Sequence, residues 1–358
     1  MDQIWWNQIT RAHRLLSSVS ESMLKGKSVI LSLSPSIPWY QTMYNQIEEA
    51  LHQGNPSNRL QCFPCPQGDV GEYLFENYCK SEKRAKFRRG TSYAAFLANS
   101  EDLVLNNHYL WVQGIAGKKL EEWKQFLTEY NRNLPDGMPP AVFLLETNEQ
   151  DVPQRAVKGV QNISFSNEID AYDRFAFCAL ASTEGGIPLA LRPYLAELVS
   201  ILCQDDVELC AACIQWGRDF LTDPERTLKE IAAEKRRSDG LSFDIGPVLQ
   251  NLNERLWETQ LKLIFPILQR YLSNLIQRHE AEIRAALPIT ASYDSNTVID
   301  DPQEVELGHL VYLAGTHRLD LSGAAYQQLV LFRETRNNLA HMKPIGFSDV
   351  EKIMVTHF

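Results

Sequence analysis

Residues 26–52, GKSVILSLSPSIPWYQTMYNQIEEALH, decide the fold of the first half of the chain. Ser28–Leu33 is a short apolar run with β-branched residues, which predicts a buried strand. The proline-containing segment SPSIPW is typical of a turn, and Tyr40–His52 has apolar residues at helical spacing. A strand followed by a turn and a helix is the repeating unit of α/β folds.

The same alternation extends on both sides of this stretch. We predict helices at 3–24 and 118–130, a mostly helical segment at 71–100, and further strands at 60–63, 108–113, 141–145 and 161–165. Strands separated by helices of this length predict a mostly parallel sheet that is covered on both faces. We expect this α/β domain to span residues 1–185, because the turn-forming segment STEGGIP follows at 182–188.

The pattern changes in the second half, where helical spacing replaces the strands. We predict helices at 189–203, 207–221, 225–235, 247–287 with a kink at Pro266, 305–313, 321–342 and 348–355. Residues 288–303 have the composition of a polar loop. The sequence therefore predicts an α/β domain followed by an all-α helical bundle at 186–358.

Charge and composition exclude several classes of protein. The 358 residues include 45 acidic and 35 basic side chains, for a net charge of −10, which disfavours non-specific attraction to nucleic acid. No apolar run reaches the ~18 residues of a membrane-spanning helix, and the N-terminal residues lack a signal-peptide core. We therefore expect a cytoplasmic protein without a membrane partner, whose seven cysteines are reduced.

One local cluster of positive charge stands out against this acidic background. Six basic residues fall within ten positions and form a candidate RNA- or phosphate-binding patch: Lys80, Lys83, Arg84, Lys86, Arg88 and Arg89. The alternative interpretation is an ordinary solvated helix face in front of a loop.

A phosphate-binding loop of the form G-x-x-x-x-G-K-[ST] is absent after the first strand, where SPSIPWY contains neither glycine nor lysine. Gly117 and Lys118 do follow a strand and begin a helix, and we treat them as candidate nucleotide contacts. Val112 nevertheless occupies the position of the first glycine.

The order of elements resembles the ATPase class of P-loop proteins. The strand HYLWVQ lies where that class carries its magnesium-binding acid, but Gln113 replaces the acid here. The next strand ends in Glu146, Thr147 and Asn148, polar residues that such folds often place near a nucleotide. The resemblance implies a degenerate nucleotide-binding domain that does not hydrolyse ATP. An ATP-dependent switch that uses Gly114–Lys119 and Glu146 is the alternative.

Metal and cofactor motifs are weak. Cys62 with Cys65 and Cys210 with Cys213 have CxxC spacing, but the pairs are far apart in the chain, and the second pair lies on the apolar face of a predicted helix. The sequence contains neither an HExxH motif nor a G-x-S-x-G nucleophile elbow. We predict no metal site and no cofactor.

The strongest local signal is LVLFRETRNNLAHMKP at residues 329–344. At 100° per residue, one stripe of this helix comprises Leu321, Ala325, Leu329, Phe332 and Leu339, and Arg336 falls within its arc. A second stripe on nearly the opposite face comprises Tyr326, Val330, Asn337 and His341. Because an unpaired buried charge is very costly, Arg336 must meet a carboxylate, a carbonyl or a bound phosphate.

Arg336, Asn337 and His341 form a motif that resembles the RNxxxH signature of the HEPN family. The resemblance implies a helical bundle with metal-independent endoribonuclease activity, of a kind found in phage-defence and toxin systems. It implies that Arg336 stabilises the phosphorane, that His341 is the acid/base and that Asn337 orients His341 or the phosphate. It also implies a homodimer in which two such helices meet. The alternative is a non-catalytic scaffold or regulatory subunit bound to a partner protein in a larger complex.

Overall fold

The computed structural model describes residues 1–54, 56, 59–88, 90–99, 105, 108–148, 157–166, 168–184, 186–290 and 298–356. The chain divides into two compact units, Met1–Asp173 and Arg174–Phe358. This division lies before residue 185, where the turn-forming segment suggested a boundary. It falls inside the helix Ala171–Ala181, which runs without interruption up to that turn.

Helices and strands alternate in the first unit. Their bounds are α1 Asp2–Gln8, α2 Thr10–Leu24, β1 Ser28–Leu33, α3 Tyr40–Gly54, β2 Arg59–Pro64, α4 Val70–Tyr78, α5 Ser81–Arg84, α6 Tyr93–Asn99, β3 His108–Ile115, α7 Lys118–Asn133, β4 Val142–Asn148 and β5 Val160–Phe165. Helix α8, Ala171–Ala181, spans the division between the units.

The five strands of the first unit form one sheet in the order β2-β3-β4-β1-β5, and every neighbouring pair is parallel. Val29 is paired with Leu144 of β4 on one side, and Ser28 with Val160 of β5 on the other. All six residues of β1 are buried, as expected for a strand covered on both faces. The predicted mostly parallel α/β layer is confirmed.

The connections between the parallel strands lead to opposite sides of the sheet at its centre. The connection after β1 leads to β2 at one edge, whereas the connection after β4 leads to β5 at the opposite edge. Open α/β sheets bind ligands at such a point, outside the carboxyl ends of the strands. The ends of β1 and β4 are therefore where a ligand of the first unit is expected.

The predicted helix over 3–24 is wrong in one respect, because it is broken at Ile9. Ile9 has an extended backbone, with φ −89° and ψ 124°, and separates α1 from α2. Trp5 and Trp6 in α1 are both fully buried, and Trp6 Nε1 donates to the carbonyl of Pro38 at 3.2 Å. Because adjacent residues of a helix point about 100° apart, the buried side of α1 is wide.

The second unit is mostly helical. Its further elements are α9 Arg192–Leu202, α10 Val207–Trp216, α11 Arg218–Thr222, α12 Pro224–Glu234, α13 Gly246–Gln250, α14 Leu252–Arg278, α15 Glu280–Ala286, β6 Ile289–Thr290, β7 Val298–Ile299, α16 Leu307–Gly315, α17 Gly323–Ala340 and α18 Phe347–Thr356, with 3-10 helices at Leu189–Leu191 and Pro302–Glu304. The predicted order of an α/β layer followed by helices is confirmed.

Three predictions for this unit need correction. The helix expected at 207–221 is interrupted by Gly217, whose φ of 56° is incompatible with a continuing right-handed helix. The helix expected at 247–287 is three helices, although α14 continues through Pro266. The expected polar loop contains the antiparallel pair β6–β7, and residues 291–297 between these strands lie outside the described residues.

Candidate functional site

The candidate site lies at the carboxyl end of α17. The helix begins after Ser322, whose hydroxyl accepts a hydrogen bond from the backbone N–H of Ala325 at 3.3 Å. One face of α17 is buried through Leu329, Phe332 and Leu339, as the first stripe predicted. This packing fixes the helix and leaves its last turn facing solvent in part.

Arg336 is half-exposed and forms an ion pair with Glu306, with 3.2 Å between Nη2 and Oε2. Arg336 thus meets a carboxylate, one of the partners expected for it, but it is half-exposed and not buried as its place within the apolar arc predicted. Glu306 precedes α16 and is held by a reciprocal cap: its side chain accepts from the backbone N–H of His309, and its own N–H donates to His309 Nδ1 at 3.1 Å. Glu306 lies 30 positions before Arg336 in the chain, so no local sequence pattern points to this contact.

His341 is exposed and ends α17, with φ −100° and ψ 21°. Its backbone N–H donates to the carbonyls of Asn337 and Asn338, both at 3.1 Å. The side chain of Asn337 is exposed as well. Asn337 and His341 are four residues apart, so they share one face of the last turn. Tyr326 and Val330, the other members of the second stripe, are half-buried.

Two side chains of α14 hold the turn that carries His341. Trp257 Nε1 donates to the carbonyl of Leu339 at 2.7 Å. Gln260 donates through Nε2 to the Ile345 carbonyl at 2.9 Å and accepts from the Ile345 N–H at 2.7 Å. Gln260 is only 1% exposed. A polar amide on a helix that packs against apolar neighbours was the one sequence signal for this contact, and it was missed.

Arg336 and His341 leave α17 in different directions. Five residues of helix correspond to a rotation of about 140° and a rise of about 7.5 Å. The guanidinium contacts Glu306 in front of α16, and the helical arithmetic assigns His341 with Asn337 to another face.

The basic stretch of the first unit is only partly available for a polyanion. Arg84 donates through Nε to the Cys79 carbonyl at 2.7 Å and through Nη2 to the Glu76 carbonyl at 2.6 Å, which caps the carboxyl end of α4. Three of the predicted residues, Lys80, Lys86 and Arg88, are exposed, Lys83 is half-buried, and Arg89 lies outside the described residues.

Polar side chains of the chain itself occupy the end of the central strands. The Tyr40 hydroxyl and Trp111 Nε1 both donate to Glu146 Oε2, at 2.5 and 2.8 Å, and Gln113 Nε2 donates to the Tyr40 hydroxyl at 2.8 Å. Burial raises the pKa of Glu146, while the hydrogen bonds from Tyr40 and Trp111 oppose that shift. Burial and the nearby Glu146 carboxylate also raise the pKa of Tyr40.

Gly117 and Lys118 lie at the beginning of α7, after β3, and both are exposed. Gly117 has a φ of +49°, a backbone conformation that glycine adopts without strain. Strand β3 is not a neighbour of β1 in the sheet. The two candidate nucleotide contacts therefore do not belong to the loop that follows β1, where a phosphate-binding loop would stand.

The two CxxC pairs lie in different units, Cys62 and Cys65 in the first, Cys210 and Cys213 in the second. In the second unit Cys213 approaches Cys203 instead, with 3.8 Å between the two Sγ atoms. Across the described residues, no group of three or more His, Cys, Asp or Glu side chains is arranged to hold a metal ion.

Among the helices of the described part of the chain, none combines the length and the apolar character needed to cross a membrane.

Comparison with known proteins adds little to this geometry. No family model and no curated protein matches the chain. Two variants of RuvB from Thermotoga maritima are similar among solved structures. The first is 14% identical with a TM-score of 0.34, over 70% of this chain and 75% of the other. The second is 13% identical with a TM-score of 0.33, over 88% and 92%.

Proposed function

We propose that the chain is a metal-independent endoribonuclease of HEPN type, with its phosphodiester site at the end of α17. The observation that supports this function is the accessibility of the motif. Arg336 is half-exposed, and Asn337 and His341 are exposed, on a turn that Trp257 and Gln260 hold against α14. A polyanion can reach all three side chains.

The residue types suit the chemistry of RNA cleavage. Attack of a 2′-hydroxyl on the adjacent phosphate requires proton transfer and positive charge beside the phosphorane. Histidine transfers protons near neutral pH. Arginine presents a permanently charged fork to two phosphate oxygens. His341 would serve as the acid/base, Arg336 would bind the phosphate, and Asn337 would orient the imidazole. None of these steps requires a metal ion.

A second copy of the chain would complete the site. Because Arg336 and His341 leave one helix about 140° apart, both can face one phosphate if the arginine comes from one protomer and the histidine from its partner. We therefore propose a homodimer formed through the C-terminal helices. Tyr312 on α16 and Met342 after α17 are 55% and 66% exposed, and apolar side chains of this kind suit such an interface.

Cleavage of a labelled single-stranded RNA in the presence of EDTA tests the proposal. We expect His341→Ala and Arg336→Ala each to reduce the rate by about 100-fold or more, the usual cost of losing an acid/base or phosphate-binding group. Asn338→Ala is the matched control, because Asn338 is exposed in the same turn and outside the motif. Equal cleavage by the wild type and His341→Ala would reject the assignment.

The alternative is a non-catalytic scaffold or regulatory subunit that acts with a partner protein. It is favoured by the first unit, where Tyr40 and Trp111 hydrogen-bond to Glu146 near the carboxyl end of β4, close to the place at which an α/β sheet normally binds its ligand. In either function we propose that this unit does not hydrolyse ATP. Calorimetry tests this: micromolar ATP binding that Lys118→Ala abolishes would instead support an ATP-dependent switch.

A further inference from the structure

Glu306 is the side chain that contacts the guanidinium of Arg336. The Nη2–Oε2 distance is 3.2 Å, and the two side chains are 37% and 52% exposed. An exposed ion pair of this kind is readily exchanged for another anion, because solvent screens it and its net stabilisation is small. Phosphate oxygens that approach Arg336 would therefore compete with the Glu306 carboxylate for the same guanidinium.

The Glu306 carboxylate is kept near Arg336 by its place in the cap of α16. It accepts a hydrogen bond from the backbone N–H of His309, while His309 in turn accepts from the Glu306 N–H. His309 is buried, and α16 packs through Leu307, Leu310 and Leu313, which are also buried. The amino end of α16 further favours a negative charge at this position. Because the cap already restricts the Glu306 side chain, less side-chain entropy is lost when the ion pair with Arg336 forms.

We propose that Glu306 is a built-in competitor for the phosphodiester, which holds Arg336 in one orientation and lowers its affinity for RNA. The proposal rests on the proposed function, since it concerns regulation of the same site. Arg336 donates to Glu306 through one terminal nitrogen, and a guanidinium has five N–H donors. An RNA phosphate therefore either shares the guanidinium with the Glu306 carboxylate or displaces the carboxylate from it. The strength of the Arg336–Glu306 pair then sets how tightly the RNA backbone binds.

The chain offers a matched control on the same helix. Arg333 Nη2 lies 3.4 Å from Glu334 Oε1, and these side chains are 36% and 59% exposed. Glu334→Gln removes the same charge two residues from Arg336 without touching the Arg336–Glu306 pair. Any general gain of attraction for a polyanion should therefore be equal in Glu306→Gln and Glu334→Gln.

The experiment measures binding of a fluorescent single-stranded RNA whose 2′-hydroxyls are methylated, so that cleavage cannot occur. We expect Glu306→Gln to lower Kd by about fivefold, the upper range for an exposed ion pair. Glutamine keeps an oxygen that can accept from the His309 N–H, and an unchanged melting temperature would show that the helix cap persists. We expect Glu334→Gln to change Kd by less than about twofold.

The Arg336→Ala background tests whether Glu306 acts on RNA binding through Arg336. In that background Glu306→Gln should no longer alter Kd, because the competed group has been removed. A Kd for Glu306→Gln equal to the wild-type value, including the case in which neither binds, would overturn the proposal. So would a gain in affinity that persists with Arg336→Ala. If the wild type cleaves RNA but Glu306→Gln does not change Kd, only this inference is refuted. If Glu306→Gln lowers Kd in a way that requires Arg336 but the wild type does not cleave RNA, only the nuclease function is refuted.

Discussion

Gln260 and Ile345 form two hydrogen bonds in opposite directions: the side-chain amide donates to the carbonyl at 2.9 Å and accepts from the N–H at 2.7 Å. The residues are 85 positions apart in the chain. Through this contact the buried middle of α14 satisfies the backbone of the turn after His341. The position of the candidate acid/base is therefore determined by a helix that does not carry the motif.

Gln260→Leu should lower the free energy of unfolding by about 1–3 kcal/mol, because it leaves the N–H and carbonyl of half-buried Ile345 without their side-chain partner and removes the buried hydrogen bond to the Tyr194 hydroxyl. Urea unfolding measures the change. Gln277→Leu, at an exposed position of the same helix, is the matched control and should change stability by less than about 0.5 kcal/mol. Equal effects of the two substitutions would show that the Ile345 contacts contribute little.

A mixture of two inactive variants tests the proposed two-chain site. If Arg336 and His341 come from different protomers, random reassociation of Arg336→Ala with His341→Ala should restore about a quarter of wild-type cleavage. Half of the dimers would then be mixed, and each would contain one intact site out of two. The rate is measured after co-refolding of equal amounts. No recovery, in dimers shown to have exchanged subunits, would place both residues in a site within one chain.

Glu146 should make the first unit less stable as the pH rises. Burial raises its pKa in the folded state above the ordinary value of about 4.5, so the folded protein holds the proton when the unfolded chain has released it. Its favourable contribution is complete below 4.5 and is lost as pH rises through the higher folded-state pKa. Urea midpoints measured between pH 4 and 7 should show this decline.

Glu146→Gln should reduce that slope, because glutamine does not titrate in this range. Glu49→Gln, at an exposed position of α3, is the control and should leave the slope unchanged. A slope that is identical in the wild type and Glu146→Gln would show that other groups control the pH dependence.

Arg84 and the exposed lysines of the basic stretch should behave differently. Arg84→Ala should lower stability by about 0.5–1.5 kcal/mol, since it removes two hydrogen bonds that cap α4. Lys86→Ala should change stability by less than about 0.5 kcal/mol. Thermal unfolding of the two variants makes the comparison, and equal losses would contradict the capping role.

RNA binding by the same stretch is tested through its salt dependence. If Lys80, Lys86 and Arg88 contact phosphates, replacing all three with alanine should reduce the slope of log Kd against log salt by about 2, at about 0.7 for each phosphate of a single strand. Fluorescence anisotropy at several salt concentrations measures the slope. An unchanged slope would identify the stretch as a solvated surface.

Much of the fold follows from local patterns in the sequence. The first strand has the predicted bounds, Ser28–Leu33, because a short apolar run with β-branched residues between turn formers is a local pattern that favours a buried strand. The helical second half follows from apolar spacing in the same way. The breaks at Ile9 and Gly217 do not follow, since each is a single backbone conformation that the surrounding packing selects.

For the candidate site as well, the sequence identifies some residues and only the structure identifies their partners. Arg336, Asn337 and His341 are identified by the sequence alone, because residue type and spacing along one helix are local properties. The tertiary structure decided that Arg336 meets Glu306, that Trp257 and Gln260 hold the turn, and that Tyr40 and Glu146 fill the end of the central strands. These partners are 30 to 106 positions apart, and only the packing of helices and strands determines which distant polar groups share a buried or half-buried space.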